Sequence, residues 1–559
     1  MKLNFKRLFP ILFFAEGIGA LIWYLCIPSE NGILPWLPLS KARLLIALIA
    51  IVFLVGAFIL WAKHDALTHF KEVPALLFSH PAFRISLFLL AIFFIELYLL
   101  TYILLPPFLR PFLAWFTLVS LQAWIVIRSN LEVKPLSLFA RLKNNWHEKS
   151  PVQRRTALVL AGIGLIYFCA FIPVNSLGWN DPNRNFMSGV DEGIQYPIVV
   201  QTLTPGNTIE STIYRLLINE SDVYGHPYVA YEALILLPSR LIFGVNFGDK
   251  LALNLTLLRM FVNVLPILLS MYLLVYMVTR FRKTLPAVGL FLLLLTIPGV
   301  IVFNTRFLHP DAVILLLIIL TIYFLQRDRL RFGRNFYFAA VACSLAAVIK
   351  LWGFFFFAAI FVYLVVGVAY RHITVKNAFR SGLIFLFVML VTALLSNPGL
   401  LVPAVFKELV HGLTGQVHNR VTGYSSDAIY TKSFSTWMGV FNQYYLTAVY
   451  FYICAASLVL SSIKGRRRLY ALITLLWCAV LIVFFSKFLA AKSFWYALEV
   501  LIPLYPAPFL LLHLADKEDE SRLGSFFNRP AVQTAAGIFV AICCGGQFIL
   551  NIIQIVSLL

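Results

Sequence analysis

Hydrophobic positions in this chain come in long blocks, and polar positions in shorter segments between them. Apolar blocks cover 8–27, 43–62, 85–105, 111–127, 156–174, 255–279, 286–303, 311–326, 336–349, 351–369, 378–397, 441–462, 469–487, 494–514 and 531–556. A helix needs about 17–25 apolar residues to cross roughly 30 Å of hydrocarbon. The pattern predicts about fifteen membrane-spanning helices. Two blocks are short by that rule, and only Lys350 separates 336–349 from 351–369, so the count carries an uncertainty of one or two. A further apolar stretch, 229–243, reads as too short to span and as an interfacial helix, and the amphipathic segment 207–218 reads the same way.

Composition turns this pattern into a class. Of 559 residues, 61% are hydrophobic and 12% charged, with a mean hydropathy of +0.87. Soluble chains are about 45–50% apolar and about 25% charged. A soluble enzyme, a disordered chain, a fibrous protein and a single-anchor protein are excluded, leaving an all-α polytopic membrane protein. The net charge of +21 points to membrane orientation rather than to nucleic acid. With Lys2, Lys6 and Arg7 in the cytoplasm, the alternating loops 63–84, 128–155, 280–283, 327–334, 371–380, 464–468 and 517–529 fall inside. With the N-terminus they hold 30 of the 45 Lys and Arg. The long polar segments 175–254 and 398–440 then lie outside, in a periplasm, at a cell surface or in a lumen. The first block contains Glu16 and no small-residue cleavage pattern, so it reads as a retained span. The seven cysteines form no CxxC pair and no zinc spacing.

The basic, proline-broken segment 128–155 divides a four-span leader, 1–127, from a core, 156–397, with seven spans. The loop 398–440 and a four-span region, 441–559, follow. No sustained repeat or inverted duplication is present.

Candidate chemistry gathers at the outside ends of the core spans. The loop after the fifth span carries Asp191 and Glu192, which read either as a solvated turn or as a general base near an apolar boundary. Tyr224, His226 and Tyr228 precede the interfacial stretch. Arg306, His309 and Asp311 crowd the start of a span, where charge is costly. Pro310 and Asp311 also suit a plain helix start. His309 and Asp311 are two metal-ligand types at a spacing weakly diagnostic of a divalent ion. Lys350, Arg259, Lys487 and Lys492 are cations at predicted outer ends, which either snorkel or meet an anion such as a phosphate. Glu16 and Glu96 lie inside leader spans with no partner evident in the sequence.

In order and sidedness, these residues resemble the GT-C glycosyltransferases, in particular the protein O-mannosyltransferase and lipid A aminoarabinose transferase type. The likeness rests on Asp191-Glu192 in a loop after a span, then YGHPY before a helix ending at Phe243-Gly244. Arg259 opens the next span, RFLHPDA a later one, Lys350 follows, and Asn397-Pro398 closes another. It covers about 240 residues well (156–397) and 398–514 loosely. In the family the acidic loop usually follows the first span, whereas here it follows the fifth. Some relatives carry a further acid where this chain has Ala312.

The resemblance implies inverting transfer of a sugar from a polyprenyl-phosphate donor to a hydroxyl acceptor on a glycan, lipid or protein outside. It implies Asp191 as general base with Glu192 orienting, or the two exchanged. Arg306 and Lys350, with Arg259, would stabilise the leaving phosphate, and His309, Asp311, His226 and Tyr224 would organise the site. No cofactor is required, and a divalent metal is a secondary expectation. Membrane lipid is an implied partner and nucleic acid is not. The location would be the plasma (inner) membrane of a bacterium or the endoplasmic reticulum of a eukaryote. The alternative is a transporter or lipid-linked glycan flippase. Asn219-Glu220-Ser221 and Asn254-Leu255-Thr256 match the N-glycosylation pattern, relevant only in a lumen that performs it.

Overall fold

The computed structural model describes residues 13–21, 41–62, 81–106, 109–130, 146–177, 190–218, 224–306, 308–422, 432–464, 467–514 and 526–558. The side chains of Asp191 and Arg306 lie outside this set, as do Lys2, Lys6, Arg7, Asn219, linker residues 131–145 and loop residues 423–431. Among the described residues all regular structure is helical, and every apolar block falls at least partly on helix. Among the described residues eight helices are long and apolar enough to cross a membrane: Pro151–Ser176, His226–Asp249, Leu251–Thr279, Leu351–Ala369, Val375–Ser396, Arg468–Lys487, Phe494–His513 and Pro530–Leu558. Two bent pairs raise the number to ten.

Two compact units divide the chain: 1–142 with Ile209–Ile213, and 143–208 with 214–559. In the first, Pro81–Leu100 packs on Arg110–Asn130. Glu16 has partners the sequence did not reveal: it accepts from Trp115 Nε1 at 2.9 Å and from Gln122 Nε2. These partners lie about a hundred residues away, so only the tertiary fold supplies them. Glu96 is buried and its Oε2 accepts no hydrogen bond.

The second unit distributes polarity opposite to a water-soluble protein. Leu165 and Ile166 of the Pro151–Ser176 helix are 64% and 73% exposed, while Glu192, Glu232, Asp311 and Glu499 are at most 1% exposed. An exposed apolar rim of this kind matches hydrocarbon, and charge inside it must be paired or bonded. At the centre, Asp311–Asp328 and Arg334–Ile349 form a hairpin. The second helix buries Ala339, Ala340, Ala342, Cys343, Ser344, Ala346 and Ala347. Small side chains let neighbouring backbones close in. Leu251–Thr279 and Leu498–Leu504 pack against Asp311–Asp328, and Val375–Ser396 packs against Arg334–Ile349.

Three elements differ from the sequence reading. The block 286–303 is two helices, Thr284–Leu295 and Pro298–Arg306, bent by 56°, because Pro298 offers no N–H to continue the ladder. The block 441–462 belongs to Phe434–Tyr444 and Ala448–Ile463, bent by 104°. Thr447 accepts from Tyr450 N and so caps a new helix. Third, 229–243 is not a short segment. Its helix starts at His226 and continues through a 3₁₀ turn to Asp249, so length does not bar it from crossing.

Candidate functional site

Two buried charge clusters stand at the open end of the central hairpin. The first is built on Val190–Thr202, a helix outside the apolar set. Asp191 is its second residue. Glu192 accepts from Arg259 through both oxygens, Nε at 2.7 Å and Nη2 at 2.8 Å. Both side chains are buried, at 0% and 3% exposure. Arg259 Nη1 also donates to the Asn175 carbonyl at 3.3 Å. Burial raises the Glu192 carboxyl above the usual carboxylate range, and the Arg259 guanidinium pulls it back in part. With both oxygens engaged, Glu192 holds Arg259 in place. A π turn, Arg259–Val264, interrupts the Leu251–Thr279 helix at this residue. Such turns recur where a helix must redirect a side chain.

Neighbouring polar groups fix this helix in place. Asn254 donates to the Tyr196 hydroxyl at 2.9 Å and the Phe247 carbonyl at 2.8 Å, and accepts from Ser239 at 2.7 Å. Tyr196 in turn donates to Gly248 O at 2.8 Å. Asn254 is fully buried, which removes it as a glycosylation acceptor. Asn219 lies outside the described residues.

The second cluster joins residues far apart in sequence. Asp311 Oδ1 accepts from Lys350 Nζ at 2.5 Å, and Asp311 Oδ2 lies 3.1 Å from His309 Nδ1. His309 Nε2 meets the Tyr224 hydroxyl at 2.8 Å. The His309 backbone N–H donates to Asn263 Oδ1 at 3.4 Å, tying this cluster to the π turn. Rings of Tyr496 and Trp352 lie 4.7 and 5.6 Å from the Lys350 ammonium. His309 and Asp311 thus bring two donors, one already seated on an ammonium. That set fits a lysine rather than a divalent ion. Among the described residues no three His, Cys, Asp or Glu side chains group as metal ligands.

Two glycines let these pieces meet. A Cβ on Gly225 would lie 2.1 Å from the Val348 carbonyl oxygen, and one on Gly353 would lie 2.4 Å from the Cys343 carbonyl oxygen. Gly225 seats the Tyr224 turn flush on the end of Arg334–Ile349, and Gly353 folds the chain back after Lys350.

Of the residues singled out from sequence, Tyr224, His309, Asp311 and Lys350 are brought together, and Glu192 pairs with Arg259. His226 stands apart from this chain of contacts: its nitrogens face the carbonyls of Ser396 at 3.2 Å and Leu216 at 2.9 Å. Lys487 is exposed, and Lys492 donates to Ala490 O at 3.1 Å. Sequence reasoning missed Glu499 and Glu232. Glu499 is 1% exposed, neither of its oxygens accepts a hydrogen bond within distance, and Asp311 and Lys350 act on it electrostatically. Glu232 is fully buried beside Tyr228. The available signal was an acid inside an apolar run. No family model, curated protein or solved structure matches the chain.

Proposed function

We propose that the chain is an integral-membrane glycosyltransferase of the GT-C type. It would take a sugar from a polyprenyl-phosphate donor and pass it, with inversion, to a hydroxyl acceptor on the outer face. The observation that carries this reading is the buried chain Lys350–Asp311–His309–Tyr224, assembled across 85 and 39 residues of sequence beside Glu192–Arg259. Charge buried inside an apolar helical body is costly and is kept for function. The reading includes about fifteen crossings, a cytoplasmic N-terminus, and 175–254 and 398–440 outside.

In this mechanism the acceptor oxygen attacks the anomeric carbon. Its proton passes to Asp191, and the bond from the anomeric carbon to the phosphate oxygen breaks. Polyprenyl phosphate leaves with the electron pair and one added negative charge. Arg306, Lys350 and Arg259 would stabilise that developing charge, and preorganised stabilisation of this kind is often the largest catalytic term. Glu192 and Asp311 hold Arg259 and Lys350 in place. An arriving phosphate adds a second anion to each cation rather than finding a bare one. Bare buried cations would cost several kcal/mol each, about what a good ion pair offsets.

Mass spectrometry of lipids copurifying with gently solubilised protein is the test. A polyprenyl phosphate or its glycoside, reduced in Arg306→Ala and Lys350→Gln, is expected. With that glycolipid as donor, Asp191→Asn abolishes transfer while still inserting, and wild-type turnover by this variant would sink the base assignment.

A second reading, a transporter, is favoured by the two bent helix pairs and the adjoining acids Asp311 and Glu499. It predicts movement of the glycolipid across liposomes lacking any acceptor.

A further inference from the structure

At the other end of the same helices the charge pattern reverses. The described chain has six non-glycine residues with positive φ: Arg280, Phe281, Arg329, Leu330, Phe332 and Arg371. All six lie in three turns just past the ends of Leu251–Thr279, Asp311–Asp328 and Phe356–Ala369. Each turn contains an arginine in the left-handed region, at φ of 53°, 53° and 58°. Glycine normally fills such positions, because it has no Cβ to clash. An arginine need not adopt this conformation to favour a helix C-terminus, since any residue of the last turn does so.

Two of these turns, after Leu251–Thr279 and Asp311–Asp328, come together with the start of Arg468–Lys487, because the first and third of these helices both pack against Asp311–Asp328. Arg467, the residue before Arg468–Lys487, is held down to about 10 by burial and then by the like charges of Arg280, Arg282 and Arg329. Arg280 and Lys149 lie 5.0 and 5.3 Å from the Tyr276 ring centre, and Arg327 donates to the Tyr323 hydroxyl at 2.9 Å. Among the described residues no carboxylate pairs with Arg280, Arg282, Arg329 or Arg467. Asp328, the nearest acid in sequence, accepts instead from Phe332 N, Gly333 N and the Tyr363 hydroxyl at 2.8–2.9 Å. The cluster is therefore a set of guanidiniums with no carboxylate partner among the described residues. It sits where two helices able to cross a membrane end, ringed by tyrosines that suit headgroup depth.

We propose that Arg280, Arg282, Arg329 and Arg467 form a binding site for the phosphate headgroup of an anionic phospholipid. The guanidiniums donate to the phosphate oxygens, and Tyr276 lies beneath them. Basic pockets between helix ends hold such headgroups, and each cation near the surface contributes about fivefold to the affinity. Free pyrophosphate shares the chemistry but not the place, since the site stands at the ends of apolar helices.

The experiment compares nanodiscs of phosphatidylcholine with nanodiscs containing phosphatidylglycerol as well, using native mass spectrometry of retained lipid and thermal melting. Wild type should retain phosphatidylglycerol selectively and melt higher with it. Arg280→Gly/Arg329→Gly/Arg467→Gln should retain it on the order of a hundredfold less, with its melting in phosphatidylcholine alone unchanged, because glycine suits the left-handed turns. If that variant does not fold, Arg282→Gln alone, at an exposed side chain, should lose about fivefold. Equal phosphatidylglycerol retention by wild type and whichever variant folds overturns the proposal. So does pyrophosphate raising the melting point in phosphatidylcholine discs as much as phosphatidylglycerol does.

Discussion

The two ends of the Asp311–Asp328 helix, roughly 27 Å apart, treat positive charge in opposite ways. At the Asp311 end Lys350 and Arg259 are buried, and each is bonded to a carboxylate. At the Arg329 end the arginines are exposed or half-buried and none has a carboxylate partner among the described residues. Burial accounts for the difference. A cation withdrawn from water needs an anion from the protein itself, whereas one at the rim is screened by solvent, salt or headgroups. An ion pair at the first end therefore fixes geometry, while at the second end no carboxylate of the described residues holds the arginines.

The largest test removes a partner at the buried end. Asp311→Ala should cost about 3–5 kcal/mol, because it strands the Lys350 ammonium. Asp311→Ala/Lys350→Met should recover most of that loss. Thermal melting in one detergent checks both, and a single-variant loss below about 1 kcal/mol would break the contrast between the two ends. Next in size is Gly225→Ala. Its Cβ meets a backbone oxygen rather than a flexible side chain, so a loss of about 1–3 kcal/mol is expected, as for other overpacked sites.

A smaller effect concerns pH. Burial raises the Glu192 carboxyl, so the folded chain holds a proton where the unfolded chain has lost it. Stability then falls as pH rises from the ordinary glutamate value through the raised one. Glu192→Gln should flatten that slope in a series of melts. A wild-type slope of the opposite sign would mean that Arg259 outweighs burial. Smallest of all, Arg329→Gly should change stability by no more than about 0.5 kcal/mol, since relief of the left-handed strain offsets the lost helix-end charge and the added unfolded-state freedom. A large loss there would make the exposed end as tightly built as the buried one.

Much of the helical framework was legible in the chain because long apolar runs leave few alternatives to helix. The breaks were less so. Pro298 announces its bend, but the bend at Tyr445–Thr447 depends on Thr447 capping a new helix, and threonine is equally at home inside a helix. Tyr224, His309, Asp311 and Lys350 could be chosen from sequence as costly polar groups at apolar borders. Their pairing could not, because Asp311 opens one helix, Lys350 follows the end of another and Glu499 arrives on a third. The engagement of Glu192 by Arg259 was hidden for the same reason. An acidic pair in a loop looks solvated until the helix opposite is known.

The π turn at Arg259 has a consequence for how this helix tolerates change. It makes the Leu251–Thr279 rod one residue too long for an unbroken α-helical winding. Deleting a residue within 260–262 would let the winding close with the flanking segments still in phase, so the change of direction falls on the residues of the turn itself. The guanidinium would turn relative to Asn263, and the link from Glu192 to His309 would be cut without altering the identity of either residue. A length variant, more than any point substitution, would decouple the two clusters while leaving a perfectly good helix.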